Sequence, residues 1–174
     1  LSGNLSVYKA ILVGIRAYNT NAWLPFYHDK LMSYVKGGGN LICQYQTSGR
    51  RTSAFINKMG PYLFNISRDR VSQEDAEVRF TDPTNILLNK PNKLSQTDFE
   101  GWVQERGLYF ATDWEKHYKP LFSMNDTGET AKEGSLIHAE FGKGNYVYTG
   151  LSFFRELPAG VPGAYRLLAN LISM

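Results

Sequence analysis

Two short apolar runs, held apart by one helical stretch, constrain this chain more than any other feature. Residues Ala10 to Ile15 read AILVGI and carry no charge, as expected of a strand buried on both faces. The run gives way to the polar residues Arg16, Asn19, Thr20 and Asn21. In the WLPFYHDKLMSYVKGGG that follows, Leu24, Leu31, Tyr34 and Val35 recur at helical spacing. Pro25 suits a first turn, and Gly37, Gly38 and Gly39 stop the helix. Asn40 to Tyr45, NLICQY, is a second buried strand. Strand, helix and strand in so short a span make a βαβ unit, which requires parallel strands and a right-handed crossover.

The end of the chain is equally definite. GSLIHAEFGKGNYVYTGLSF is two β runs around Gly142, Lys143 and Gly144, a hairpin signal. VPGAYRLLANLI sets Ala164, Leu167, Leu168, Leu171 and Ile172 on one helical face, with Pro162 in its first turn. Pro120 to Met124 reads as a further strand. The middle carries turn signals at Gly60-Pro61, Asp82-Pro83 and Lys90-Pro91. Short β pieces are expected at Tyr62 to Ile66 and Glu77 to Phe80, and a brief helix at Asp98 to Val103.

The 174 residues fit a single domain spanning 1–174, and 43% hydrophobic residues suffice for a packed core. Nineteen basic residues are mixed with sixteen acidic ones, and Arg50-Arg51 is the only adjacent basic pair. This is not a stripe that grips a phosphate backbone, so nucleic acid is excluded as a partner. No apolar run nears the roughly 20 residues needed to span a bilayer, so no membrane span is expected. The one cysteine, Cys43, permits no internal disulfide. Cys43 and the scattered His28, His117 and His138 offer no metal-ligand spacing, so no metal and no cofactor are expected.

In open parallel sheets ligands bind beyond the C-terminal strand ends. The first strand delivers Arg16, Tyr18 and Asn19 there, and the second delivers Tyr45, Gln46 and Thr47, followed by Arg50 and Arg51. The last hairpin strand delivers Arg155 and Glu156. These polar groups are expected to meet at one end of the sheet. Trp102 with Glu105 and Arg106 would suit a sugar, offering an aromatic face beside groups able to form paired hydrogen bonds. The acid-rich SRDRVSQEDAE and DFEGWVQERG segments equally suit solvated salt bridges.

The segments VGIRAYNTN, YVKGGGNLICQYQTS, SRDRVSQEDAEV, DFEGWVQERGLYF and FRELPAGVPGAYRLLANLI together resemble the C-terminal region of bacterial PIG-L (LmbE-like) deacetylases. That region is similar to class I glutamine amidotransferase-like folds, including the ThuA-like branch. The resemblance implies a three-layer α/β domain, flavodoxin-like, with a mainly parallel sheet and a C-terminal β-hairpin. It also implies an upstream zinc-dependent deacetylase domain in the same chain, and an extracytoplasmic parent protein. An amidotransferase of this kind places a Cys in a Gly-x-Cys-x-Gly turn just after the strand. Here that turn is QYQTSG; Cys43 comes too early, and Tyr45 or Gln46 stands near the nucleophile position. Where the ThuA-like branch offers His residues, this chain has Tyr45 and Phe153.

The resulting expectation is a non-catalytic accessory domain that positions a deacetylase or binds glycan. The alternative is a hydrolase or transferase of carbohydrate metabolism, using a carboxylate site drawn from Glu74, Asp75, Glu105 and Glu156. The resemblance also implies a strand and a helix before AILVGI, where only Leu1 to Lys9 stand. The chain thus reads as a piece of a longer polypeptide with an open sheet edge, and self-association is expected.

Overall fold

The computed structural model describes residues 1–174, apart from the side chain of residue 51. Its frame is a five-stranded mixed sheet built from β1 (Ala10–Val13), β2 (Asn40–Gln44), β3 (Lys119–Pro120), β4 (Leu136–Phe141) and β5 (Gly144–Thr149). The spatial order is β1-β2-β5-β4-β3. β2 runs parallel to β1 on one side and to β5 on the other, while β4 is antiparallel to both β5 and β3. The chain is therefore an α/β protein with a parallel βαβ start and an antiparallel hairpin, as the apolar runs and the Gly-Lys-Gly turn require.

Alternation along the strands divides the interior. Leu41 and Cys43 of β2 face one side with Ile137, Tyr146 and Tyr148. They pack under α1 (Ala17–Thr20), α2 (His28–Lys36) and α3 (Arg50–Phe55), through Tyr18, Leu31, Val35 and Phe55. Ile42, Leu136 and Val147 face the other side, under Ala164, Leu167 and Leu171 of α5 (Pro162–Ile172). Leu31, Val35, Leu41 and Ile42 are all fully buried, and side chains of this kind contribute roughly 1.5–3 kcal/mol each when fully buried. Pro162 opens α5 as expected, but Ile172 is exposed and Leu168 half-buried. The apolar stripe of α5 is thus narrower than its spacing suggests: Ala164, Leu167 and Leu171 are buried, while Ile172 lies on the solvent side of it.

The Gly37-Gly38-Gly39 stop has two separate causes. Gly38 takes φ 117°, a region that favours glycine, and a Cβ on Gly39 would lie 2.1 Å from the Tyr34 ring. The tyrosine folds back over the chain and donates from its hydroxyl to the carbonyls of Tyr8 and Asn40.

Residues 56–135 are mostly irregular. They hold three two-residue strand pairs: Asn65–Ile66 with Ala111–Thr112, Arg70–Val71 with Gly107–Leu108, and Arg79–Phe80 with Phe122–Ser123. Three expectations are corrected here. The strand expected at Pro120 to Met124 is divided, with Pro120 in the main sheet and Phe122–Ser123 in a separate pair. The helix expected at Asp98 to Val103 is instead a 3-10 turn over Gln96–Phe99, fixed by a capping box between Ser95 and Asp98. The β pieces shrink to Asn65–Ile66 and Arg79–Phe80; ahead of the first, Leu63 N–H donates to the Glu115 side chain instead of to a strand partner.

A buried polar line crosses the sheet from Asn40 through Asn145 to His138. Burial pushes the His138 imidazole below its ordinary pKa; Lys119 adds to this, while Asn145, Glu140 and Asp82 oppose it. The unfolded chain therefore takes this proton first as the pH falls. The His138 contribution is complete above about 6.5 and is lost as the pH drops below that value toward the folded pKa. The urea midpoint is expected to be lower at pH 5.5 than at 7.5, and His138→Gln is expected to shrink that difference. Glu156, whose carboxyl burial raises, pulls the other way, so the comparison with the variant isolates His138. A pH dependence identical in both proteins would count against this account.

Candidate binding site at the strand ends

The turns that leave β1 and β2 are sewn together. Arg16 N–H donates to the Tyr45 carbonyl at 2.9 Å. Asn19 and Thr47 exchange two bonds, Thr47 N–H to Asn19 Oδ1 at 2.8 Å and Asn19 Nδ2 to the Thr47 carbonyl at 3.1 Å. Gln46 is completely buried: its Oε1 accepts from Tyr18 N–H at 2.8 Å, and its Nε2 donates to the Gln44 carbonyl at 2.7 Å and that of Gly14 at 3.2 Å. Both of its N–H donors are used by backbone and the whole side chain is sealed from solvent, so it presents nothing to a ligand.

Tyr45 stands next to this staple. Its ring stacks on Tyr109 at 5.7 Å and meets Phe154 at 5.5 Å. The Arg155 guanidinium lies 4.9 Å over the Phe154 ring, donates from Nε to Glu105 Oε1 at 2.8 Å, and bonds Gln104. Arg70 approaches the other Glu105 oxygen at 3.8 Å. Burial pushes the Tyr45 phenol up, Arg16 and Arg155 pull it down, and Glu105 and Tyr109 add to the rise. Arg16, Gln104 and Tyr109 hold φ of 55°, 68° and 54°, a strained setting for non-glycine residues. The arrangement is an aromatic cluster rimmed by two arginines, with one of them already ion-paired. Arg16 is exposed and makes no ion pair within 4 Å among the described residues.

The other expected site residues lie elsewhere. Trp102 is only 3% exposed; its Nε1 donates to the Asp98 carbonyl and its ring packs on Phe99, so little of it reaches the cavity of about 640 Å³ that it lines with Glu74, Asp75 and Arg106. Arg106 is buried beside it and donates to the carbonyls of Ala76 and Phe99. Glu156, in α4 (Phe153–Glu156), is fully buried and accepts from Val103 N–H and the Ser152 hydroxyl. The sequence reading sets Trp102 and Arg106 at the surface, as a sugar platform or within a solvated salt-bridge cluster. The carbonyls of Ala76, Asp98 and Phe99 draw them inward instead. Glu74 and Asp75 are exposed, and Glu74 accepts from Gln104 N–H at 2.7 Å. The Arg51 side chain lies outside the described residues. The sequence carries no sign of the positive φ of Gln104 and Tyr109, or of the approach of Tyr109 and Phe154 to Tyr45.

Cys43 is 1% exposed, and burial pushes its thiol up to about 12, against smaller opposing hydrogen bonds from Tyr146 and Gln46. A thiol so placed stays protonated and out of reach at neutral pH. Phe153 is buried as well. The exposed aromatics near this end of the sheet are Trp23 and Phe26, whose rings lie 5.8 Å apart. Phe26 lines a cavity of about 620 Å³ together with Tyr18, Phe55 and Lys58. No group of three or more His, Cys, Asp or Glu side chains is placed to hold a metal ion among the described residues. No helix among them is long and apolar enough to cross a membrane.

No family model and no curated protein matches this chain. Among solved structures it is similar to cytoplasmic protein STM3548 from Salmonella typhimurium. The two are 16% identical with a TM-score of 0.63, over 97% of this chain and 72% of that one. It is also similar to cytoplasmic protein STM1381 from Salmonella typhimurium LT2, at 13% identity and a TM-score of 0.61 over the same shares. These likenesses concern the fold alone. A β-galactosidase from Rahnella sp. R3 aligns with a TM-score of 0.47 over 24% of its length, which adds nothing to the fold.

Proposed function

We propose that this chain is a three-layer, class I glutamine amidotransferase-like domain of the ThuA-like kind that has no catalytic site of its own. It serves a PIG-L-type deacetylase as an accessory domain, positioning the enzyme or presenting the Tyr45 cluster to glycan. One observation carries the reading: the turn after β2, where the family keeps its nucleophile, is filled by groups with other tasks. The Tyr45 ring is stacked against Tyr109, the Gln46 amide is bonded to backbone on both sides, and the Cys43 thiol is buried and protonated. Three of the four carboxylates weighed for an alternative hydrolase are also occupied, Glu74 by Gln104, Glu105 by Arg155, and Glu156 by Val103 and Ser152.

The test has two parts. The purified protein is expected to release no ammonia from glutamine, and release that disappears in Cys43→Ser would overturn the non-catalytic reading. The complete reading frame is expected to encode a zinc-dependent deacetylase on the same polypeptide, and a frame encoding none would overturn the accessory role.

A further inference from the structure

The polar line through the sheet fixes where the His138 proton sits. The main-chain oxygen of Met174 can only accept, so the Asn40 amide nitrogen donates to it. Asn40 Oδ1 then accepts from Asn145 Nδ2 at 3.2 Å. Asn145 therefore turns its oxygen toward His138 Nε2, 2.9 Å away, and only a proton on Nε2 completes that contact. A neutral imidazole protonated at Nε2 keeps its lone pair on Nδ1. Among the described residues nothing is hydrogen-bonded to Nδ1, and it is not among the polar atoms sealed from solvent without a partner, so it is open to solvent although His138 as a whole is only 5% exposed.

His138 lines a cavity of about 630 Å³ with Asp82, Asn85, His117, Lys119 and Glu140. Asn145 is not part of that lining, so the Nε2 edge turns away from the space and the bare nitrogen's edge meets it. The topology assembles the rest. Lys119 is the cross-strand partner of His138, and Glu140 lies two residues along β4 on the same face. Asp82 enters from the loop after Arg79–Phe80, held by the Thr84 hydroxyl at 2.8 Å and Asn85 Nδ2 at 3.3 Å. His117 stacks on Tyr62 at 4.0 Å and presents a flat wall.

Acceptors dominate this space: two carboxylates and an unprotonated ring nitrogen face a single lysine ammonium. We propose that the cavity binds a small polyhydroxylated amine, such as an amino sugar. Its ammonium is held by Asp82 and Glu140, and it donates one hydrogen bond to His138 Nδ1, while Lys119 donates to a ligand hydroxyl. The site lies toward the opposite end of the sheet from Tyr45 and is independent of the accessory-domain reading.

Long-range proton–nitrogen NMR of the imidazole rings tests both halves of the argument. At pH 7.5 His138 is expected to be the Nε2–H tautomer, and a proton on Nδ1 would overturn the proposal. Glucosamine is expected to shift the His138 Nδ1 resonance saturably, and glucose to bind at least about tenfold more weakly for want of a charge-assisted bond. Asp82→Asn is expected to weaken glucosamine by about tenfold, with exposed Glu140→Gln as the second variant should the first not fold. No saturable shift with glucosamine, equal binding of glucose, or undiminished affinity in the folded variant would each overturn it.

Discussion

Gly163→Ala is expected to lower the melting temperature by roughly 4–8 °C, despite placing a better helix former inside α5. Helix propensity favours alanine by about 1 kcal/mol. The added Cβ would stand 1.7 Å from the Asp98 carbonyl oxygen and 2.4 Å from its carbon, both backbone atoms that no rotamer change can move. Asp98 cannot retreat easily. Its carboxylate accepts from Ser95 N–H and pairs with Arg166 at 2.8 Å, and its carbonyl accepts from Trp102. Helix α5 must back away instead, parting Ala164, Leu167 and Leu171 from the sheet. Overpacking of this kind costs about 3 kcal/mol, which outweighs the propensity gain. Gly3→Ala, where nothing lies within 4 Å of the new carbon, is the matched control and is expected to be neutral. Calorimetry that finds the two variants equally stable would remove the argument.

Arg106→Ala is expected to be about as damaging, at about 3–5 kcal/mol. The side chain is 5% exposed, and its guanidinium donates to Ala76 at 2.9 Å and to Phe99. It also lies 5.7 Å from the Trp102 ring and 6.0 Å from that of Phe99. Desolvation lowers its pKa, and Glu156 is the largest influence keeping it charged. Truncation strands two interior carbonyls, opens a hole beside Trp102, and takes a cation away from buried Glu156. Arg106→Lys is expected to recover little, since one ammonium cannot reproduce a planar fork aimed at two carbonyls. Urea denaturation reads both, and a lysine variant within about 1 kcal/mol of the parent would show that the fork geometry does not matter.

These two sites mark where the sequence stopped being readable. β1, β2 and the hairpin are legible because continuous apolar runs and a Gly-Lys-Gly turn are local signals. So is α5, whose start follows from Pro162. Segment 56–135 is not, because its course depends on polar pairs far apart in the chain: Ser72 with Asp126, Gln73 with Thr127, Leu63 with Glu115. No periodicity records such partners. At the strand ends, the meeting of Arg16 with Tyr45 and of Asn19 with Thr47 follows from parallel strands. The Tyr109 and Phe154 partners of Tyr45 do not, because they stand 64 and 109 residues further along the chain and Tyr109 sits on strained backbone.

The two margins of the main sheet differ in kind. β3 ends one side with two residues, Lys119 and Pro120, and a proline has no N–H to offer a newcomer. β1 ends the other side with AILV, uncharged, its Leu12 46% exposed and its outward backbone groups facing no other strand of the sheet. Strand addition to this sheet would thus have a direction, open at β1 and hindered at β3. A body with a single adhesive margin can form closed pairs about a two-fold axis, but it cannot polymerise, since every second copy uses up the only margin it has. Self-association of this domain through its main sheet would therefore terminate at the dimer rather than grow into a fibre.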